Sequence, residues 1–239
     1  MIFSHNNPAK EWILQELAAR ADRGPFSVCD LACGSGSVWP AFLLEYPSVR
    51  YVGKDTDTAA IERGRKAMAG IPNARMDVAD AQILPEEEGS YDVVTALSAL
   101  EHVVRIDKFL DTVFRLLKPD GVAYLNYDDG HFTSHNPKER IMVPVSQVLA
   151  LVGIEGPYMK RVNDADIIRL IEERGGKVLA VRKNNLAAMK GFTKGHKSGL
   201  MGDDVLREWF AFENRLNDML SPAQLSKIFG ATTVVMQKT

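Results

Sequence analysis

A turn of small residues near the start of the chain constrains its fold more than any other feature. The segment VCDLACGSG, residues 28–36, leads from a short apolar strand through Asp30 into that turn. The turn contains Ala32, Cys33, Gly34, Ser35 and Gly36. A ligand can approach backbone N–H groups where side chains are small, and the helix predicted over Val38–Glu45 adds unpaired donors. We predict a nucleotide-type pocket at the carboxyl end of a first parallel strand.

The spacing of this turn argues against a dinucleotide-binding loop and excludes a P-loop. A dinucleotide-binding loop has glycine at all three positions of GxGxxG, whereas Trp39 occupies the third position here. No Gly-Lys-Ser/Thr sequence follows the turn, which excludes a P-loop. A nicotinamide-dependent reductase is kept as an alternative from a different class of enzyme.

Predicted strands and helices alternate along the chain, which is the pattern of a parallel sheet. The strands after the first are expected at Arg50–Lys54, Arg75–Val78, Tyr91–Ala96, Val122–Asn126, Lys177–Val181 and Thr232–Gln237. Right-handed crossovers bring the loops after the strands to one edge of the sheet. Asp55 ends the second strand, and an acid at this place can accept hydrogen bonds from both hydroxyls of a ribose.

These segments together resemble the class I S-adenosylmethionine-dependent methyltransferases. The acid followed by a small-residue GxG turn is similar to that family's first motif, with Ala32 where many members have glycine. The segment DAQILP at Asp80–Pro85 resembles the family's acid-plus-Leu-Pro segment, and LLKPDG at Leu116–Gly121 resembles the turn before its fifth strand. The resemblance covers roughly residues 25–130.

The resemblance implies a fold, a cofactor and a set of binding residues. The implied α/β fold is a doubly wound, seven-stranded, mostly parallel sheet in three α/β/α layers, with an antiparallel last strand. We expect one domain over residues 1–239, with helical cap insertions at about 131–161 and 184–229. The implied cofactor is S-adenosylmethionine, with S-adenosylhomocysteine as its product. The expected cofactor-binding residues are Asp30, Ala32, Cys33, Gly34, Ser35, Gly36, Asp55, Thr56, Asp80, Ala81 and Leu97.

In the family the first acid and its loop hold the methionine end of the cofactor, and an acid at the position of Asp80 meets the adenine amino group. A general base is needed only if the methyl acceptor loses a proton. The candidates are His102 after the fourth strand, and Tyr127, His131 and His135 around the end of the fifth. His131 and His135 have a spacing that suits a metal, but this is a weak signal in an irregular loop, so we expect no metal.

The charge distribution suggests the type of methyl acceptor. The net charge is −2, yet Arg174–Gly202 contains seven Lys and Arg and no acid. Such a run is either a solvated face or a surface that steers an anionic substrate. We predict a small-molecule acceptor with an O, N or C nucleophile, which the run suggests is anionic. The alternatives are a macromolecular or carrier-bound substrate and a non-catalytic S-adenosylmethionine-binding module.

The sequence also bears on the partners and the cellular location of the protein. The fourth strand is followed by LSALEH, which lacks the Asn/Asp-Pro-Pro-aromatic signature of many base-methylating relatives, so nucleic acid is not the expected partner. No apolar run approaches the ~20 residues that span a membrane. Cys29 and Cys33 lie in or beside the loop as small apolar residues. We expect a cytoplasmic protein, and the sequence leaves its oligomeric state open.

Overall fold

The computed structural model describes residues 2–5, 7–84, 88–128, 137–154 and 158–239. Its strands in chain order are β1 Ser27–Leu31, β2 Arg50–Asp55, β3 Ala74–Val78, β4 Tyr91–Ala96, β5 Leu117–Asp128, β6 Gly176–Leu186 and β7 Phe229–Lys238. They form one sheet in the order β3-β2-β1-β4-β5-β7-β6. Strands β1 to β5 pair in parallel, and β7 lies antiparallel between β5 and β6. The predicted fold class is confirmed.

Helices cover both faces of this sheet. The helices in chain order are α1 Pro8–Ala21, α2 Trp39–Glu45, α3 Thr58–Ala67, α4 Ile106–Leu116, α5 Pro137–Leu151, α6 Asp164–Glu172, α7 Lys190–Lys197, α8 Asp203–Met219 and α9 Pro222–Ile228. One buried cluster packs α1, α2 and α3 against the sheet, and a second packs α4 and α6 against the other face. Burial of apolar area in these two layers is the main force that holds the helices in place.

Side-chain caps in the sequence mark where several helices begin. The Asn7 side chain accepts a hydrogen bond from the Lys10 amide, and Pro8 occupies the first turn of α1. Asp57 caps α3 in the same way. Ser221 and Gln224 form the capping box predicted for the last short helix. Such caps satisfy backbone donors that the helix itself leaves unpaired.

Strands β5, β6 and β7 are longer than the sequence predicts, and β7 begins at Phe229 rather than Thr232. Strand β5 begins at Leu117 rather than Val122, and β6 extends from Val181 to Leu186. Polar residues in this extension resemble a loop in sequence, but Lys183 and Asn184 continue to pair with β7. The predicted cap at 184–229 is therefore too long, because its two ends belong to strands. The earlier cap contains α5, while residues 129–136 and 155–157 lie outside the described part of the chain.

The segment between β6 and β7, which we call the later cap, is attached to the sheet through Glu213 on α8. This side chain is fully buried, and its carboxylate accepts hydrogen bonds from the backbone amides of Asn185 and Leu186 at 2.9 Å. The Trp209 indole donates a third bond at 2.8 Å. Because all three partners are donors, the side chain at position 213 must accept hydrogen bonds at both of its terminal atoms.

We expect Glu213→Gln to destabilise the protein by about 1–3 kcal/mol, because one buried backbone donor would then face an amide NH2 group. The measurement is the free energy of urea unfolding. Glu208→Gln, an exposed position on the same helix, is the matched control and should change stability by less than about 0.5 kcal/mol. Equal stability of the two variants would contradict the proposed role of Glu213.

Candidate active site

The turn after β1 has an unusual backbone. Ala32, Gly34 and Gly36 all have positive φ angles, of 53°, 56° and 58°. A Cβ atom at Gly36 would come within 2.9 Å of the Met68 side chain, whereas one at Gly34 would have no described atom within 4 Å. A non-glycine residue with positive φ is strained, and such strain concentrates at functional sites. The turn therefore presents backbone to open space at Gly34.

Asp30, at the end of β1, anchors the start of this turn through buried hydrogen bonds. Its side chain is almost completely buried, and its carboxylate accepts hydrogen bonds from Thr95 Oγ1 at 2.7 Å and Trp39 Nε1 at 2.8 Å. Burial raises the pKa of Asp30 to about 6, although both hydrogen bonds act in the opposite direction. Trp39, at the position where dinucleotide loops have their third glycine, thus acts as a buried donor to the first acid.

Asp55 joins the second loop to the first. One carboxylate oxygen accepts from the Gly34 amide at 2.7 Å, and the other accepts from the Asp57 amide at 2.8 Å. Each oxygen has a further lone pair, so the carboxylate keeps acceptor capacity for a ligand.

A cavity of about 700 Å³ lies at the ends of β1 to β4, within the size range of small-molecule sites. It is lined by Ala32, Asp55, Thr56, Asp57, Ala79, Asp80, Ala81, Gln82, Ser98, Ala99, His102, Val103, Phe109 and Gly153. Acids suit ribose hydroxyls and the positive charge of a sulfonium, and the alanines and Phe109 suit an adenine ring. The residues therefore fit S-adenosylmethionine. A second cavity, about 630 Å³, lies along β2 and β3 and contains none of the predicted site residues.

The structure brings together part of the predicted site. Ala32, Asp55, Thr56, Asp80, Ala81 and His102 line the cavity. The remaining residues of the turn, Cys33–Gly36, lie beside Ala32, while Asp30 and Leu97 are buried behind the cavity wall. Tyr127 is not a lining residue, because its buried hydroxyl donates to Asp164 at the start of α6 at 2.6 Å. His131 and His135 lie outside the described residues.

Sequence reasoning missed a buried acid next to His102. Glu101 is fully buried in the short 3₁₀ turn after β4, and its Oε1 accepts from the Asp128 amide at 3.2 Å. Its Oε2 has no hydrogen-bond partner within the described part of the chain. Burial raises the pKa of Glu101 to about 7, and the negative charge of Asp128 contributes in the same direction. This pKa suits a group that accepts a proton near neutral pH.

Lys10 on α1 lies among the same acids. Burial lowers the pKa of Lys10, while the negative charges of Asp30, Glu101 and Asp128 act to raise it. The partly buried ammonium group of Lys10 therefore interacts with the charges of acids from β1, from the turn after β4 and from β5. The sequence offers a signal for Glu101, which directly precedes His102, but none for Lys10, which lies in the helix before β1.

A chain of hydrogen bonds connects Glu101 to the later cap. Asn185 Nδ2 donates to Asp128 Oδ2 at 2.9 Å, and the Asn185 amide donates to Glu213. Asn185 has a φ of 67°, which is rare for a residue other than glycine. The cap and the buried acid in the turn after β4 are therefore parts of one polar network.

His102 contributes an imidazole at the rim of the cavity. The residue is exposed, and its Nδ1 lies 3.1 Å from the Tyr158 carbonyl oxygen. Since a carbonyl oxygen only accepts, Nδ1 carries the proton in this contact, and a neutral ring then has its acceptor at Nε2.

Three cations of the basic run are paired with acids. Arg174 lies 2.8 Å from Asp111, Arg182 contacts Asp218 at 3.5 Å, and Lys183 forms an ion pair with Asp164. These pairs fix β6 and its neighbours and account for part of the run without any ligand. None of the helices in the described ranges is long and apolar enough to cross a bilayer.

The fold and the cavity together define a class of protein. The features of a class I S-adenosylmethionine-dependent methyltransferase are a seven-stranded sheet with an antiparallel seventh strand, a buried acid in β1, and acids at the end of β2 and after β3 that line one cavity. Residues 28–121 match the family model described as "Methyltransferase domain", so this segment of the chain belongs to that family. S-adenosylmethionine is the cofactor of this class.

Known relatives agree with this assignment over part of their length. A trans-aconitate 2-methyltransferase of Variovorax paradoxus is 26% identical over 158 residues, which are 66% of this chain and 56% of that protein. A demethylmenaquinone methyltransferase of Clavibacter sepedonicus is 36% identical over 94 residues, 39% of this chain and 38% of that protein. The chain thus spans about half or less of these curated relatives.

A solved structure shares the fold over nearly the whole chain. Magnesium protoporphyrin IX methyltransferase from Synechocystis, with bound S-adenosylhomocysteine, aligns with a TM-score of 0.58 at 13% identity. The alignment covers 95% of this chain and 80% of that one.

The raised pKa of Glu101 predicts a pH-dependent stability. The folded protein binds this proton between the ordinary pKa of 4.5 and about 7, so stability is lost as pH rises through that window. We expect the free energy of unfolding of the wild type, measured with urea, to fall by roughly 3 kcal/mol relative to that of Glu101→Gln between pH 4 and pH 8. Asp30 titrates in both proteins, so the difference isolates Glu101. A difference that does not change with pH would contradict the buried, raised-pKa environment.

Proposed function

We propose that this protein transfers a methyl group from S-adenosylmethionine to a small-molecule acceptor, and that Glu101 takes the proton that the acceptor loses. The observation that carries the proposal is the buried Glu101 carboxyl, next in the sequence to the cavity-lining His102, with a pKa of about 7 and one oxygen without a described partner. When bound, the cofactor supplies an electrophilic methyl group on a positively charged sulfur.

The residues around the cavity divide into two groups with different roles. Asp55 and Asp80 would hold the ribose and the adenine, and the turn at Ala32–Gly36 would face the methionine end. Asp30 positions that turn from below through Thr95 and Trp39. On the acceptor side, Glu101 Oε2 would receive a proton from a hydroxyl or amine group and become neutral, and the ammonium group of Lys10 would offset the negative charge that the Glu101 carboxylate carries before it accepts the proton.

Burial of the acceptor-side group supports a small substrate. Glu101 is fully buried next to the lining residue His102, and the cap residue Gly153 lines the cavity. A folded macromolecule could reach the buried Glu101 carboxyl only with a narrow protruding group, whereas a small molecule could enter the cavity completely. Exclusion of water by the caps would also favour methyl transfer over side reactions. A macromolecular or carrier-bound acceptor is therefore the alternative, and turnover of free small molecules discriminates between them.

The charge of the acceptor rests on weaker support than its size. Among the described side chains of the basic run, Lys194 and Lys197 on α7 remain after the ion pairs described above, and they could steer an anion toward the cavity. The relative from Variovorax is named for trans-aconitate, a tricarboxylate. We therefore include anionic acceptors in the proposal, with trans-aconitate as the first compound to test.

A lipophilic acceptor is a second candidate, favoured by one observation. Helix α5 and the residues after it expose large apolar side chains, among them Ile141, Val148, Leu151 and Val152 at 64%, 64%, 85% and 72% of their surface. This surface leads directly to Gly153, which lines the cavity. The relative from Clavibacter is named for demethylmenaquinone, a lipophilic quinone.

The test measures transfer of a labelled methyl group to acceptors from each class: phenols, amines, carboxylic acids including trans-aconitate, and a short-chain demethylmenaquinol. With an active acceptor that has a proton to lose, Glu101→Gln should lower kcat by about 10²–10⁴-fold, with S-adenosylhomocysteine affinity unchanged within about twofold. Glu208→Gln is the control and should retain full activity.

Two results would contradict this assignment. Full activity of Glu101→Gln together with a loss of kcat in His102→Gln would transfer the role of base to the histidine. Binding of S-adenosylhomocysteine without turnover of any acceptor, free or carrier-bound, would favour a non-catalytic cofactor-binding module.

A further inference from the structure

Three side chains, one from the segment before α1 and two from the later cap, meet outside the cavity. His5 precedes α1, His196 lies near the end of α7, and Asp203 begins α8. One potential ligand atom from each residue lies within 4.8 Å of the other two. The two imidazole rings stack with their centroids 5.0 Å apart and their planes inclined by 23°. None of the three lines the cavity described above.

The distances in this cluster are close to those of a metal site. His5 Nε2 lies 3.4 Å from Asp203 Oδ1, which matches the separation of about 3.4 Å between ligand atoms of a tetrahedral zinc site. His196 Nε2 lies 2.8 Å from the same oxygen, a hydrogen-bond distance. Replacing that proton by an ion requires these two atoms to separate by about 0.6 Å, a small side-chain adjustment.

We propose that His5, His196 and Asp203 bind a divalent transition-metal ion, with water completing the coordination. Two imidazole nitrogens and one carboxylate oxygen form a donor set that Zn²⁺ and its first-row neighbours accept. Two of the three side chains, His5 and Asp203, are 45% exposed, so an ion can enter from solvent. The third, His196, is 22% exposed and provides the more rigid ligand.

The ion would fasten the start of the chain to the later cap. Ile2 already packs in a small buried cluster with Leu206, Trp209 and Phe210 on α8. The amides of Phe3 and Ser4 donate to Glu11 on α1 at 2.8 and 2.7 Å. The segment before α1 thus connects the helix that carries Lys10 with the cap that carries Glu213. A metal bond at His5 would strengthen this connection, because the unfolded chain has no preformed site.

The experiment uses the full chain without an affinity tag, stripped of metal with EDTA and dialysed. Zn²⁺ is titrated in by calorimetry, and the melting temperature is followed in parallel. We expect one Zn²⁺ per chain with a dissociation constant in the micromolar range or below, and a melting temperature that rises with free Zn²⁺. His196→Gln and His5→Gln should each weaken binding by at least about tenfold.

The control variants separate this site from other zinc-binding groups. Asp204→Asn changes the neighbouring acid on α8 and should bind Zn²⁺ as the wild type does. The double variant His131→Gln/His135→Gln should also retain binding. The melting temperatures of His5→Gln and His196→Gln in EDTA should stay within about 2 °C of the wild type, which shows that they fold. Absence of saturation up to about 1 mM Zn²⁺, or loss of binding only in the double variant, would overturn the proposal.

Discussion

The candidate site depends on one buried carboxylate, that of Asp30. It lies at the end of the first strand and accepts hydrogen bonds from Thr95 on β4 and from Trp39 on α2. Strands β1 and β4 and helix α2 are therefore joined by hydrogen bonds at a single residue. Because the carboxylate is buried, losing the Thr95 donor would leave Oδ1 unsatisfied, which costs about 1–3 kcal/mol, whereas Oδ2 also accepts from the Tyr51 hydroxyl at 3.4 Å. The hydrogen bonds of Asp30 fix the strand end that leads into the turn, and this helps the turn to keep positive φ angles at Ala32, Gly34 and Gly36.

The cofactor side of the site could be predicted from the sequence because its residues are local to strand ends. Asp55 and Asp80 follow strands directly, and the topology of a parallel sheet brings such positions to one edge. The seven-stranded, mostly parallel sheet and its antiparallel last strand followed from the family resemblance and are confirmed. The length of β6 was not predictable in this way. Lys183 and Asn184 resemble a loop until their partners on β7 are known.

The acceptor side could not be predicted, because its groups depend on long-range contacts. Lys10 enters the cluster only through the packing of α1. Glu101 precedes a predicted residue in the sequence, but nothing in the sequence shows that it is buried and that its pKa is raised. The His5, His196 and Asp203 cluster has the same origin, since its members lie on three elements that pack together only in the folded chain. Our expectation of no metal considered only the pair His131 and His135.

The polar network extends the site beyond the cavity wall. Glu213 on the later cap, Asn185 on β6 and Asp128 on β5 form a hydrogen-bonded path that ends at Glu101. In a low-dielectric interior such bonds are stronger than at the surface, and each unpaired member is costly. The cap therefore supports the position of the acceptor-side acid as well as covering the sheet. This arrangement explains why β6 continues into a polar segment.

The central claim is that the cavity holds S-adenosylmethionine, and the most direct measurement compares melting temperatures with S-adenosylhomocysteine and with NADH. At 100 times its dissociation constant a ligand adds about 2.7 kcal/mol of stability, which corresponds to roughly 5–10 °C for a chain of this size. The account predicts such a shift with S-adenosylhomocysteine alone, and its loss in Asp55→Ala but not in Glu62→Ala. A shift with NADH alone, or an equal shift in Asp55→Ala, would contradict it.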